Sequence, residues 1–192
     1  MLNPGEKIFY EVIFLEYYFH SKFCMEKEKR KFFFAYKFKR SSAKSFLKLY
    51  NKVGYNYEWN DMLKIKEKII KELIQNQKVD FFLYFKNLNL LGFFVLDFRK
   101  EGIADLMYFG LLPKAVGLGY GKNMLKFAMD ESYKKNVKKI TVNTNNLDHP
   151  SALPLYKKNG FRPLKKEIHS RTLVKQNAQK GFSDFLKGKY NV

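Results

Sequence analysis

Glycines at positions 117, 119 and 121, with Lys122 directly after them and the apolar run Phe109 to Leu112 before them, carry the strongest chemical signal in the chain. Glycine has no Cβ to keep an anion from the backbone, and a helix opening behind the turn presents unpaired N–H groups and the positive end of its dipole. A pyrophosphate is the natural occupant of such a turn. Two nucleotide fingerprints fail on residue type. The dinucleotide pattern G-x-G-x-x-G requires glycine where Met124 stands, and the nucleotide P-loop requires Ser or Thr where Asn123 follows Lys122.

What remains is V-x-P followed closely by x-x-G-x-G, with Leu111 in the valine position. A second block, Thr144 to Phe161, places Ala152, Leu155, Tyr156, Gly160 and Phe161 in the register N-x-x-A-x-x-L-Y-x-x-x-G-F, with His149 in the asparagine position. On these residues the chain resembles the GNAT superfamily of N-acyltransferases. It is similar in particular to a subset of uncharacterised bacterial members that carry a Y-F-G-L-x-P strand, here Tyr108 to Pro113, and an Asp-His-Pro turn, here Asp148 to Pro150. The segment Leu49 to Leu63 is similar to that subset too, so the resemblance runs from about residue 46 to residue 165.

The resemblance implies a donor site for acetyl-CoA or another acyl-CoA. Backbone amides of Gly117, Leu118, Gly119, Tyr120, Gly121 and Lys122 would take the pyrophosphate, and the main chain of Phe109 and Leu111 would pair with the pantetheine arm as an added strand. The same strand's N–H groups would face a developing oxyanion. Val116 departs from the pattern, which has Gln or Arg there; Lys114 or Lys122 stands close enough in sequence to supply the charge. His149, in the asparagine position, would touch the cofactor.

Acyl transfer to an amine also needs an acid for the departing thiolate and a base for the acceptor. Tyr156 is the first choice of acid, because a phenol of pKa ~10 can donate to a thiolate whose thiol has pKa ~8.5; the competing reading makes it a core tyrosine. Asp105 is the first choice of base, with Glu58 and Asp61 next. Asp148 and His149 either join them or only shape the Asp-His-Pro turn. Tyr55, Tyr57 and Trp59 with Glu58 and Asp61 could form an aromatic, anionic pocket for a cationic amine, unless Trp59 simply packs beneath the sheet.

Composition bounds the rest. At 192 residues the chain is one domain, read as residues 1–169 with a basic tail at 170–192 that is a short helix, disordered or an exchanged element of a dimer. One cysteine, Cys24, allows no internal disulfide, and no Cys/His cluster has metal-ligand spacing, so no metal is expected. Charges at Lys7, Glu11 and Glu16 break the N-terminal apolar run, so neither a signal peptide nor a membrane span is expected and a cytoplasmic monomer or homodimer follows. The net charge of +19 fits codon bias in an AT-rich genome or a nucleic-acid partner. Two functions therefore compete: an acyl-CoA-dependent N-acyltransferase, and a non-catalytic module binding RNA or a ribosomal partner.

The elements that must position these residues follow from periodicity. Residues 8–19 and 32–38 read as an opening strand or hairpin about the charged turn Glu26 to Lys31, and Phe46, Leu49, Tyr50 and Val53 mark a helix capped at Ser41–Ser42 and ending at Gly54. Asn60 or Asp61 would cap a second helix with Met62, Ile65, Ile69 and Leu73 on one face. Strands at 79–85, 90–98 and 108–112 lead to a third helix at 119–135, a strand through Ile140 to Thr144, a fourth helix capped by Ser151 and a last strand at 161–168. The order matches the superfamily's mixed sheet of six to seven strands flanked by about four helices, an α/β (α+β) fold.

Overall fold

The computed structural model describes residues 5–20, 23, 32–39 and 41–173. Its strands are Lys7–Tyr18 (β1), Phe33–Lys37 (β2), Val79–Lys86 (β3), Asn89–Asp97 (β4), Ile103–Leu111 (β5), Lys139–Asn145 (β6) and Arg162–Thr172 (β7). The helices are Ala43–Gly54 (α1), Glu67–Ile74 (α2), Tyr120–Tyr133 (α3) and Ala152–Lys158 (α4). All strands join one seven-stranded sheet in the order β2-β3-β4-β5-β6-β1-β7. Only β5 and β6 run parallel; every other neighbouring pair is antiparallel.

The helices cover opposite faces. On one, Phe46, Leu49, Tyr50 and Val53 of α1 and Ile70 and Ile74 of α2 pack against Phe81, Phe93 and Val95. On the other, Met124, Leu125, Ala128 and Met129 of α3 and Tyr156 of α4 pack against Leu15, Phe94, Leu106 and Val142. Helix α1 begins where expected, with the Ser42 hydroxyl accepting from the Ser45 N–H at 3.1 Å. β3 and β4 are joined by Asn87 and Leu88, and Asn87 takes the positive φ of 52° that such a turn needs.

Three expectations need correction. The two opening strands are not a hairpin: β2 pairs with β3 at one edge of the sheet, while β1 lies between β6 and β7, with Val12 opposite Asn145 on one side and Glu167 on the other. Residues 7–18 thus stand between the sixth strand and the last one. The second helix starts later, because Ile65 is extended (φ −87°, ψ 139°) after a short 3-10 turn at Met62–Lys64; the helical phase restarts at Glu67, so Ile70 and Ile74 turn inward and Ile69 is 53% exposed. β7 extends to Thr172, so residues 170–172 belong to the sheet; residues 174–192, with most of the expected tail, lie outside the described residues, as do Cys24 and the Glu26 to Lys31 turn.

Candidate active site

The site exists because two parallel strands part. β5 and β6 are paired only from Ile103 and Lys139 to Asp105 and Thr141. Just beyond, the β5 register slips against β4, with Leu106 opposite Leu96 and Tyr108 opposite Val95, so Met107 is an extra residue; such a bulge bends and twists its strand. Leu106–Leu111 and Val142–Asn145 then line opposite walls of a cleft of about 490 Å³. Past Asp105, no strand among the described residues pairs with the edge of β5 that faces β6, which leaves a row of backbone groups able to accept an added strand.

Gly110 lets the helical layer close on this wall. A Cβ there would stand 2.2 Å from Val53 Cγ1 and 3.4 Å from the Trp59 ring, and a Cβ on Gly54 would stand 2.1 Å from Trp59 Cβ. Trp59 is therefore wedged between the end of α1 and β5, with its ring centroid 5.4 Å from that of Tyr50 and 6.0 Å from that of Tyr108. It packs and lines the cleft at once.

At one end stand Val116, Gly117, Gly119, Gly121 and Lys122. Gly117 (φ 82°) and Gly119 (φ 76°) hold left-handed conformations, and a Cβ on either would meet no atom within 4 Å. They serve the turn and the space in front of it, whereas Gly121 serves packing, its Cβ position lying 3.4 Å from Leu155. Helix α3 follows directly with no side-chain cap. Two open glycines, an uncapped helix start and the exposed Lys122 fit a diphosphate. Leu118 is 58% exposed and outside the cleft lining, and the Tyr120 side chain turns to Phe33 and accepts from Lys86 Nζ at 3.3 Å, so these two offer the turn only backbone.

Tyr156 lies at the middle of the cleft, where α4 faces β5. Its ring is held by Phe109 and Phe161, with centroids 6.0 and 5.7 Å away, and its hydroxyl has no hydrogen bond among the described residues. Burial, and then the charge of Asp148, push its pKa far above the ordinary phenol value. Ser151 stands at the start of α4 as expected, but its hydroxyl caps nothing; its N–H donates to His149 Nδ1 at 3.1 Å. His149 lines the cleft, edge-on to Tyr57.

Asp148 is the carboxylate this turn brings inward. Oδ1 accepts the Trp59 indole N–H at 3.0 Å, and Oδ2 accepts the Thr144 hydroxyl at 2.9 Å and the Asn145 N–H at 3.0 Å. Burial raises its pKa above the usual carboxylate value against the pull of these three donors and the positive charge of Arg171.

Arg171 of β7 lines the cleft beside the segment after α1. It donates to the Glu58 carbonyl, to the Tyr10 hydroxyl at 3.0 Å and to Asp61 Oδ2 at 3.1 Å, so that it ties β7 and its neighbour β1 to the segment after α1. Asp61 is at the mouth of the cleft, its side chain 71% exposed. Glu58, at a positive φ of 55°, is fully buried, accepts from Asn60 Nδ2 at 2.6 Å and does not line the cleft.

Asp105 is likewise not brought to the cleft. It sits where β5 and β6 are still paired, opposite Asp97 and Thr141, and accepts the Thr141 hydroxyl at 2.9 Å. Burial raises its pKa above the usual carboxylate value, with Thr141 opposing and Asp97 adding to the rise. Arg171 is what the sequence reading leaves out of its site, whereas it leaves Asp148 open between joining the bases and only shaping its turn. The signal for Asp148 was present in Asp-His-Pro; none marked Arg171, which lay in what read as a basic tail. Among the described residues no group of His, Cys, Asp or Glu is placed to hold a metal ion, and no helix is long and apolar enough to cross a membrane.

Comparison with known proteins places this arrangement. No curated protein matches the sequence. Among solved structures, a GCN5-related N-acetyltransferase from Sphaerobacter thermophilus matches at TM-score 0.59 and 12% identity, over 90% of this chain and 53% of that one. The ribosomal-protein alanine N-acetyltransferase of Escherichia coli matches at TM-score 0.55 and 14% identity, over 74% of this chain and 95% of that one. An aminoglycoside acetyltransferase from an uncultured soil metagenomic sample matches at TM-score 0.54 and 14% identity, over 68% and 89%. The chain thus spans about half the length of the Sphaerobacter protein, and at these identities the likeness is one of fold. The acetyltransferase (GNAT) family model matches residues 44–161, from the start of α1 through the glycine turn and the Tyr156 helix, and the chain belongs to that family.

Proposed function

We propose that this protein transfers an acetyl group from acetyl-CoA to a primary amine of a small molecule or a protein. The observation that carries this reading is the parting of β5 from β6, which joins a glycine turn at one end to Tyr156 at the middle in one cleft. A thioester bound there supplies an activated acyl carbon and a thiol leaving group. Gly117, Gly119 and the first turn of α3 would hold the diphosphate by backbone N–H groups, with Lys122 adding charge where Val116 adds none. The unpaired edge of β5 at Phe109 and Leu111 would hold the pantetheine arm and offer N–H donors to an oxyanion. Tyr156, on the α4 wall of the cleft, would hold the proton the thiolate needs.

The acceptor would enter between the segment after α1 and the β6–α4 turn, where Tyr57, Trp59, Asp61 and Asp148 line the cleft. Aromatic faces with carboxylates suit a cationic amine. The test is a screen of polyamines, amino acids and N-terminal peptides by thiol release from acetyl-CoA. Release that depends on one class of amine and is lost in Tyr156→Phe supports the reading; RNA binding without CoA binding would favour the non-catalytic module instead.

A further inference from the structure

We propose that Asp148 is the catalytic base that takes a proton from the acceptor ammonium. The assignment rests on the acyltransferase reading above and on geometry within the cleft. Four carboxylates stand near enough in sequence or space to compete. Asp105 is bound to Thr141 where the strands are still paired, Glu58 is buried outside the cleft lining, and Asp61 is exposed and paired with Arg171 at 3.1 Å. Asp148 lines the cleft, is held by three donors, and keeps acceptor capacity on Oδ1, which among the described residues receives only the Trp59 indole.

The neighbours agree with that role. Tyr57 and Trp59 face Asp148 from the segment after α1, Thr144 and Asn145 from β6, Tyr156 from α4 and Arg171 from β7. Arg171 is the one cation in this set, and Tyr10, Asp61 and the Glu58 carbonyl already engage it, which leaves Asp148 available to a second, incoming cation. His149 already receives the Ser151 N–H at Nδ1, at 3.1 Å. A carboxylate raised by burial is also a better proton acceptor than an ordinary one.

The step balances. One ammonium proton passes to Asp148, and the freed nitrogen lone pair forms the C–N bond to the thioester carbonyl carbon. As the C–S bond breaks, sulfur takes the Tyr156 proton and the phenolate takes the second proton from nitrogen. Asp148 returns its proton to water.

The test uses the protein's own reporter. Trp59 is the sole tryptophan and donates directly to Asp148, so its emission reads the protonation of that carboxyl. Wild-type emission should titrate above the ordinary aspartate pKa of ~3.9, and kcat/KM for the fastest amine of the panel should fall on its acid side at the same pH. Asp148→Asn should abolish the titration and lower kcat/KM at neutral pH by roughly two to four orders of magnitude, with the deficit narrowing as pH approaches the acceptor's own pKa and CoA affinity unchanged. A flat wild-type emission, an acid limb at another pH, or an Asn variant that keeps the wild-type rate and limb overturns the assignment while leaving the acyltransferase reading intact. Failure of the wild-type protein to bind CoA would instead sink that reading, and the assignment with it.

Discussion

The indole N–H of Trp59 donates to Asp148 Oδ1 at 3.0 Å, tying together two segments 89 residues apart that both line the cleft. One segment carries Tyr57 and Trp59, and the other is the turn that leads into the Tyr156 helix. Trp59→Phe keeps much of the ring but removes the donor. Because that donor holds the Asp148 pKa down, its loss should move the acid limb of kcat/KM to higher pH. Loss of a hydrogen bond to a charged group should also lower unfolding free energy by about 1.5–3 kcal/mol, measured by denaturant titration at neutral pH. An unmoved limb would mean that the bond does not govern Asp148.

Tyr156→Phe isolates one proton. The hydroxyl has no hydrogen-bond partner among the described residues, so its removal should leave the thermal midpoint and CoA affinity nearly unchanged. If it protonates the thiolate, kcat should drop by roughly two to four orders of magnitude. Full activity in the variant would return Tyr156 to the role of a core aromatic between Phe109 and Phe161.

Asp105→Asn gives the opposite outcome. The Asp105 pKa is raised in the fold, chiefly by burial, so its effect on stability is neutral below the unfolded pKa of ~3.9 and unfavourable as pH rises through the folded value. The variant should therefore show a higher denaturant midpoint than wild type at pH ~7, with the gain vanishing below pH ~4. Its kcat should stay at the wild-type level, where loss of a true base would cost roughly a hundredfold or more.

These outcomes separate what was legible in the chain from what was not. The glycine turn was legible because its signal is local: Gly117 and Gly119 adopt left-handed conformations that other residues rarely take, and α3 begins immediately behind them. Helix α1 was legible because Ser42 caps it and four apolar residues repeat at helical spacing. The place of β1 was not, since an alternating strand states which face is apolar but not which strands flank it; that was decided by Asn145 and Glu167, more than 130 residues away. The face of α2 was lost because the extended Ile65 resets a phase that periodicity assumes to be continuous. Arg171 was hidden by composition: a lone arginine in a Lys-rich stretch gains meaning only when β7 brings it beside Tyr10 and Asp61.

The central claim, that the cleft between β5 and β6 is a CoA site, is tested most directly by calorimetric titration of CoA into the wild-type protein and into Gly119→Val. The wild type should bind with one CoA per chain and gain thermal stability as CoA is added, because the ligand is held by the folded state alone. The Gly119→Val protein should not bind, since valine is strained at a φ of 76° and its side chain would enter the open space before the turn. Absence of binding to the wild type at millimolar CoA, or equal binding by the folded variant, would contradict the account.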